Sequence, residues 1–195
     1  MNKLTFRILP SEESHDHQVR IEIDGNDYLG EFLGIDPPHF FGQNNFFHEG
    51  KLLIGRCDCG CEGCCDTIID VETIENQIVW KIDESTRFEF DKNEYTQYVN
   101  EKRMDFSWEN LNRRVERLVS EEFKNTTIYA DYDFDWASCR IEKNKILLSY
   151  SRKGNPENFR QEILKFDWNG INEEDALNRA KEYLKRNRKI KRKTP

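Results

Sequence analysis

Five of the six cysteines in this chain fall within nine consecutive positions, and no other residues carry so strong a chemical signal. The five are Cys57, Cys59, Cys61, Cys64 and Cys65. We call residues 57–65 the cysteine loop. Thiolate sulfur binds soft divalent ions such as zinc, which usually takes four ligands in a tetrahedron at roughly 2.3 Å. Thiols at this density therefore predict a zinc site built from the cysteine loop.

The spacing within the cysteine loop lets its sulfur atoms converge. The first three cysteines occupy alternate positions, so their side chains project to one face of an extended backbone. Gly60 and Gly63 then allow the chain to reverse, which brings the last two cysteines back toward the first strand. The preferred ligands are Cys57, Cys59 and Cys64, with Cys61 or Cys65 as the fourth.

A ligand from outside the cysteine loop is an alternative. Zinc sites commonly take two ligands from each of two separate segments, and this sequence offers no second C-x-x-C or H-x-x-x-H pair. The residues considered for that position are Cys139, His39, His48 and Asp66.

Three other interpretations of the cysteine loop stay open. A disulfide between Cys57 or Cys59 and Cys64 would make the chain a thiol redox-responsive regulator, because exposed thiols of low pKa are readily oxidised. An iron–sulfur cluster also uses four thiolates. The simplest alternative is a turn whose reduced thiols bind nothing.

Apolar residues on both sides of the cysteine loop indicate the element that positions it. Residues 52–55 precede the loop, residues 67–71 follow it, and the centre is rich in turn-forming residues. We therefore predict a β-hairpin over residues 52–71 with the thiols at its tip. Alternating apolar residues at 3–9 and 18–24 predict two further strands that neighbour each other.

Three stretches predict helices. Asp91, with Glu94 three residues later, resembles a capping box at the start of a short helix. Apolar residues spaced by three and four predict a helix from about Trp108 to Phe123. Asn172 is a favourable N-cap for a C-terminal helix.

The remaining pattern completes an α+β fold. Further strands are predicted over residues 128–136, 146–150 and 163–166. Gly34 to Gly50 predicts a packed irregular loop. The predicted class is α+β, with a mostly antiparallel sheet built from hairpins, a mid-chain amphipathic helix and a C-terminal helix. No linker rich in Gly, Ser or Pro divides the chain, so residues 1–195 are predicted to form a single domain.

A row of carboxylates is a second candidate site. Asp131, Asp133 and Asp135 alternate along one predicted strand, and clustered carboxylates can bind a hard cation. Trp136 occupies the position at which a D-x-D-x-D calcium loop needs glycine. A solvated strand face is therefore the simpler interpretation.

Two histidines, His15 and His17, form an H-x-H pair that could hold a metal, but their polar surroundings are typical of an exposed loop. The common hydrolase, metalloprotease and nucleotide-binding motifs do not occur. We therefore expect a protein without catalytic function. The alternative is a metal-dependent enzyme that uses the cation of the cysteine loop as a Lewis acid.

The charge of the chain is unevenly distributed. The formal net charge is -7 at pH 7, yet residues 181–195 hold eight Lys or Arg against one Glu. An acidic body can pair with a basic protein partner, as small inhibitor or immunity proteins do. The basic C-terminal tail at residues 185–195 could instead neutralise phosphates. Nucleic acid is the less favoured partner, because the acidic body would repel a polyanion.

The first ten residues, MNKLTFRILP, lack the apolar region and cleavage site of a secretory signal. No apolar run approaches the roughly 18 residues that a membrane span requires. We therefore expect a cytoplasmic protein that does not bind membranes and whose thiols are kept reduced.

Several motifs together resemble a known family. The segment Gly55 to Cys64 reads GRCDCGCEGC, Val79 and Trp80 follow in a predicted strand, and FDW occurs at residues 166–168. This pattern is similar to a bacterial family without established activity that carries G-R-C-x-C-G-x-x-G-C ahead of a V-W strand. The resemblance spans most of the chain.

The resemblance also bears on the ligand set. It implies that Cys57, Cys59 and Cys64 are the cysteines of the family, and that Cys61 and Cys65 are additions in this chain. It implies no enzymatic activity.

Overall fold

The structure, a computed structural model, describes residues 1–10, 16–59, 63–129, 131–152 and 160–193. These residues form helices and antiparallel sheets, with one helix in mid-chain and another near the C-terminus. The arrangement confirms the predicted α+β class. The chain divides into two compact units, Met1–Asp105 and Phe106–Pro195, which we call unit 1 and unit 2. Each unit has its own apolar core, a division that the single-domain prediction for residues 1–195 did not anticipate.

Unit 1 is mostly β-structure. Its strands are β1 (Leu4–Pro10), β2 (His17–Ile23), β3 (Asn26–Asp27), β4 (Leu33–Gly34), β5 (Gly50–Arg56), β6 (Asp66–Ile74), β7 (Gln77–Lys81) and β8 (Arg87–Asp91). Its helices are α1 (Pro37–Gly42) and α2 (Lys92–Arg103), and a 3-10 turn covers Asn44–Phe46. The strands form two antiparallel sheets, in the orders β1-β2-β3 and β4-β5-β6-β7-β8.

The two sheets of unit 1 are hydrogen-bonded to each other at both ends. The backbone N–H of Val19 in β2 donates to the carbonyl oxygen of Ile35 after β4, at 2.9 Å. Next to β1, the backbone N–H of Asn2 donates to the carbonyl oxygen of Glu89 in β8, at 2.7 Å. The sheets therefore enclose one shared apolar core. The pairing of β1 with β2 confirms the neighbouring strands predicted over residues 3–9 and 18–24.

Helix α1 and the 3-10 turn correct the prediction of an irregular loop over Gly34 to Gly50. Pro37 occupies the first turn of α1, where the fixed φ of proline favours a helix and its missing N–H costs nothing. Phe40 and Phe46 are fully buried, and their rings meet edge to face at 5.0 Å. The aromatic residues that showed no periodicity in the sequence are thus core residues on two short helical turns.

Unit 2 consists of one sheet and two helices. Its elements are α3 (Leu111–Phe123), β9 (Thr126–Ile128), β10 (Tyr132–Ser138), β11 (Lys145–Arg152), β12 (Gln161–Asp167), α4 (Glu173–Arg186) and β13 (Ile190–Arg192). The sheet is antiparallel, with the order β12-β11-β10-β9-β13. Apolar residues of α3 and α4 share a core with those of the sheet.

The helix caps follow the sequence closely. The side chain of Asp91 accepts hydrogen bonds at the start of α2, and that of Asn172 does so at the start of α4, as predicted. Helix α3 begins at Leu111 rather than near Trp108, because the side chain of Asn110 accepts a hydrogen bond from the backbone N–H of Arg113 and caps the helix there.

The strand predicted over residues 128–136 is wrong as a single element. Strand β9 ends at Ile128, and Tyr129 takes a left-handed conformation with φ +53°. Strand β10 then runs back beside β9. The apolar alternation continues through the turn, so it could not reveal the break.

The basic segment predicted as a tail at residues 185–195 is part of the folded unit 2 up to Lys193. Helix α4 continues to Arg186, and β13 pairs antiparallel with β9. Ile190 is buried in the core of unit 2, and the backbone N–H of Lys193 donates to the carbonyl oxygen of Asn125 at 2.8 Å. Residues 194 and 195 lie outside the described residues.

Candidate metal centre

The cysteine loop connects β5 to β6, as the predicted hairpin over residues 52–71 requires. The last opposed residues of the two strands are Arg56 and Asp66. One position further, the backbone N–H of Cys57 donates to the carbonyl oxygen of Cys65 at 3.1 Å. Beyond a register shift between Leu53 and Gly55, the pairing of the two strands therefore continues up to the first and last cysteines of the loop.

Gly55 allows the base of this hairpin to pack closely. A Cβ atom at this position would lie 2.8 Å from Leu29 Cδ2 and 3.1 Å from the carbonyl oxygen of Leu33 in β4. Real Cβ atoms do not approach other atoms as closely as 2.8 Å, and the 3.1 Å contact is with a backbone atom, so a larger residue would require the side chain of Leu29 and the backbone of Leu33 to shift. Strand β4 pairs with β5 at Gly55 and Arg56, which fixes the start of the cysteine loop.

Four of the five predicted ligands come together at the tip of the hairpin. The sulfur atoms of Cys57, Cys64 and Cys65 all lie within 4.8 Å of one another. The sulfur of Cys59 lies 2.9 Å from that of Cys57. The cluster can therefore hold a metal ion. Cys61, the fifth predicted ligand, lies in the stretch 60–62 outside the described residues.

The distance between the sulfurs of Cys57 and Cys59 is longer than a disulfide bond and shorter than the distance between two sulfurs bound to one zinc ion. A disulfide bond is about 2.05 Å long. Two sulfurs at 2.3 Å from a tetrahedral zinc ion are about 3.8 Å apart.

Crowding by the neighbouring thiols changes the acidity of Cys64. Hydrogen bonds with Cys59 and then with Cys57, together with repulsion from their sulfurs, raise the pKa of Cys64 to about 12. A thiol with this pKa keeps its proton at neutral pH. A bound cation would reverse this preference, because it stabilises thiolates and releases their protons.

The cluster is open to solvent. Cys59, Cys64 and Cys65 are exposed, and Cys57 is half-buried. Ions and small oxidants can therefore reach the sulfur atoms directly.

An ion pair lies beneath the cluster, where the two strands end. Arg56 Nε is 3.5 Å from Asp66 Oδ1, and both side chains are largely buried. The backbone N–H of Gly63 donates to Asp66 Oδ2 at 3.1 Å, and Gly63 has φ +76°, a conformation that favours glycine. Asp66, one of the alternative ligands, therefore shapes the turn that carries the cysteines.

The other alternative ligands lie apart from this arrangement. His39 and His48 are exposed, and neither groups with the cysteines among the described residues. Cys139 belongs to unit 2, where its buried thiol donates to the carbonyl oxygen of Asn112 at 3.4 Å. Burial, and then repulsion from Glu116, raises the pKa of Cys139 to about 12.

The carboxylates of β10 take part in ordinary ion pairs. Asp131 Oδ2 is 2.7 Å from Arg152 Nε, and Asp133 Oδ1 is 2.7 Å from Lys193 Nζ. Asp135 is exposed at a β-bulge. Asp131, just before β10, and Asp135 are exposed to solvent, whereas Asp133 is half-buried.

Only one histidine of the H-x-H pair belongs to the residues that the structure describes. His15 lies outside the described residues, and His17 is opposite Pro10 where β2 begins.

Unit 2 contains a buried charge network that the sequence analysis did not predict. Glu116 on α3 accepts hydrogen bonds from Ser138 Oγ at 2.8 Å, from the backbone N–H of Cys139 at 3.0 Å and from Arg140 Nε at 2.9 Å. It also pairs with the buried Arg113 at 3.4 Å. Arg113, Glu116 and Arg140 together join α3 to the end of β10.

A cavity of about 310 Å³ lies in unit 2 and is not part of the cysteine cluster. Its lining is polar and consists of Ser120, Glu121, Lys124, Asn125, Thr126, Asp133, Phe134, Asp135 and Lys193.

Comparisons with known proteins found no match for this chain among protein-family models, curated proteins or solved structures. The likeness to the bacterial family with the G-R-C-x-C-G-x-x-G-C motif therefore remains an expectation. Within the described part of the chain, no helix combines the length and the apolar character needed to cross a membrane.

Proposed function

We propose that the cysteine loop binds zinc, and that the chain is a non-catalytic protein-binding module whose hairpin tip is ordered by the metal. One observation carries the metal proposal: three cysteine sulfurs lie within 4.8 Å of one another, and a fourth lies 2.9 Å from one of them. They come from both ends of a single turn, so one ion would tie the two strands together.

The chemistry of the donors favours zinc over harder ions. Thiolates select soft or borderline metals, whereas calcium, magnesium and manganese prefer oxygen ligands. A zinc ion with four cysteine ligands has no open coordination position, which is typical of structural rather than catalytic sites. This favours a non-catalytic role over a metal-dependent enzyme.

The charge distribution supports a basic protein partner. Unit 1 has ten Lys or Arg against twenty-two Asp or Glu, a net charge of -12, and it carries the cysteine loop. Unit 2 has twenty against fifteen, a net charge of +5. The asymmetry thus follows the two units rather than a body and a tail. A strongly acidic unit accelerates association with a basic surface and selects against acidic ones.

Ion pairs in unit 2 weigh against nucleic-acid binding through residues 185–195. Lys193 pairs with Asp133, and Arg192 Nη2 is 4.0 Å from Glu122 Oε2. Cations that already face carboxylates contribute less to the release of counterions from a polyanion.

Metal analysis of the full chain, purified without chelator, tests the zinc site. We expect about one zinc per chain in the natural sequence and in Cys139→Ser, whose thiol belongs to the core of unit 2. Cys57→Ser should lose the metal, because Cys57 lies near each of the other three sulfurs. Equal metal content in Cys57→Ser, or no metal in any of the three proteins, would contradict the proposal.

Affinity capture from the native host tests the protein-binding role. The full chain is used as bait, once loaded with zinc and once stripped by a chelator. We expect the zinc form to retain a basic protein that is released by added salt, because salt screens the charges that attract the two surfaces. Recovery of no specific protein, or equal recovery by the stripped bait, would contradict the role.

A further inference from the structure

We propose that the cysteine loop is also a site of reversible thiol oxidation, at which a hydroperoxide converts Cys57 and Cys65 into a disulfide and the bound cation is released. This inference rests on the proposed zinc site and assigns a mode of regulation to it. The loop would then hold one of two cross-links, a metal ion or a disulfide.

The sulfur of Cys57 is the one that lies close to each of the other three described sulfurs of the loop. Cys57 Sγ lies 2.9 Å from that of Cys59 and within 4.8 Å of those of Cys64 and Cys65. Loss of this one thiolate would remove a ligand from any four-sulfur site at these positions. Oxidation of Cys57 therefore favours release of the metal, because it removes the sulfur that lies near each of the other three described ones.

Cys65 is the partner that the backbone favours. The hydrogen bond from Cys57 N–H to the Cys65 carbonyl oxygen places the two residues opposite each other, one step beyond the pair Arg56 and Asp66. Opposed residues of the hydrogen-bonded kind in an antiparallel pair have Cα atoms about 5.5 Å apart. This is close to the most common Cα separation of disulfides, about 5.5–6 Å. A Cys57–Cys65 bond therefore needs side-chain rotation but no movement of the strands.

The number of thiols also favours oxidation. A tetrahedral site uses four ligands, and the loop has five cysteines, so one thiol is always without metal. Three of the four described loop thiols are exposed. An oxidant therefore meets an unprotected thiol beside metal-bound thiolates, and the remaining ligands lie within reach for exchange.

The chemistry balances with one hydroperoxide for each disulfide. One thiolate attacks the peroxide oxygen and breaks the O–O bond, which gives a sulfenic acid and, from hydrogen peroxide, water after proton uptake. The second thiol attacks the sulfenic sulfur, the S–S bond forms, and the hydroxyl leaves as a second water. The two sulfurs lose two electrons and the peroxide gains them. Zinc does not change its oxidation state and leaves when the disulfide removes Cys57 from its ligands, and the thiolates left behind take up protons.

Titration of the zinc-loaded full chain with hydrogen peroxide tests the inference. Released zinc is measured with a coloured chelator, lost thiols are counted, and disulfides are located by peptide mass mapping. We expect one zinc released for each pair of thiols lost, a Cys57–Cys65 bond, and recovery of zinc binding after reduction with dithiothreitol and addition of zinc. Cys139→Ser should behave identically, because Cys139 is buried in the core of unit 2.

Cys65→Ser is the decisive variant, since it removes the disulfide partner and leaves four cysteines in the loop. We expect it to bind zinc and not to form the mapped disulfide. A protein that keeps its zinc and thiols, forms sulfinic acid without a disulfide, or bonds Cys57 elsewhere contradicts this inference while the zinc site stands. A chain that takes up no zinc before peroxide is added contradicts both proposals.

Discussion

Arg56 and Asp66 face each other at the end of β5 and β6, with Nε of the arginine 3.5 Å from Oδ1 of the aspartate, directly below the cysteine cluster. The other oxygen of Asp66 accepts the backbone N–H of Gly63 at 3.1 Å. The carboxylate therefore links the end of the hairpin to the turn that returns the last two cysteines. It holds the geometry of the proposed metal site without being a ligand.

We predict that Asp66→Ala lowers zinc affinity by roughly 10- to 100-fold, the usual effect of removing a group that orients metal ligands. Asp66→Asn should lose less zinc affinity, because its amide oxygen can still accept a hydrogen bond from the backbone N–H of Gly63. Competition with a chelator of known affinity measures both. Asp58→Ala is the matched control, since Asp58 is exposed in the same loop. Equal losses in Asp58→Ala and Asp66→Ala would show that loop charge matters and the turn does not.

We predict that Gly55→Ala destabilises unit 1. The new methyl group would approach Leu29 Cδ2 and the carbonyl oxygen of Leu33, and overpacking of this kind costs about 1–3 kcal/mol. Denaturant unfolding followed by circular dichroism measures the change. Gly42→Ala is the control, because nothing lies within 4 Å of a Cβ atom there. A Gly55→Ala protein as stable as Gly42→Ala would disprove the close approach of β4 to β5.

We predict that Glu116→Ala destabilises unit 2 by about 3 kcal/mol, because it breaks a buried charge network. Glu121→Ala is the matched control on the same helix. Its side chain is 63% exposed, so its removal should change the free energy of unfolding by less than about 0.5 kcal/mol. Both are measured by denaturant unfolding. Similar small effects of the two substitutions would mean that the Glu116 network contributes little to stability.

The hairpin and its cysteines were predictable from the sequence because the signals were local. Apolar stretches flank glycine-rich positions, and alternate cysteines must share a face on an extended chain. The caps at Asp91 and Asn172 are local in the same sense, since each requires only a side chain three residues or fewer from the N–H that it accepts.

The features that escaped prediction depend on tertiary contacts. Glu116 sits beside Val115 on α3 and looks like a surface charge until Ser138 and Arg140 are brought against it. The division after Asp105 has no glycine or proline to mark it. Tyr129 ends β9 by a left-handed turn that the alternating pattern does not disclose. All three features depend on which atoms surround a residue in the folded chain. Sequence periodicity does not contain that information.

We predict that Cys139 reacts with thiol reagents far more slowly than the loop cysteines. The thiolate is the reactive form. Burial raises the pKa of Cys139 from 9.0 to about 12, so at pH 8 its thiolate population falls on the order of a thousandfold. Alkylation followed by mass mapping should find the exposed loop cysteines, such as Cys59, labelled before Cys139. Cys139 should be labelled only after unfolding.

The same pKa shift sets the direction of a pH effect on stability. The pKa of Cys139 is raised in the folded state, so its neutral form is favoured there. The contribution of Cys139 to the stability of the fold is therefore complete below the pKa of its unfolded-state thiol, about 9. It is lost as the pH rises toward the folded-state pKa of about 12. The stability difference between the natural chain and Cys139→Ser should shift in favour of the variant over this range. Equal labelling rates for Cys139 and Cys59 in the folded protein would contradict both expectations.

The two units have separate cores, and every strand pair of each sheet is internal to one unit, so we predict that each unit folds alone. A fragment of residues 1–105 should show cooperative unfolding and bind zinc as the full chain does, because all loop cysteines and the Arg56–Asp66 pair belong to unit 1. Fragment 106–195 should also unfold cooperatively but bind no zinc, because Cys139 is its only cysteine. Calorimetry and metal analysis measure these properties. Unfolded fragments would instead support the single domain predicted for residues 1–195, with two units that depend on each other.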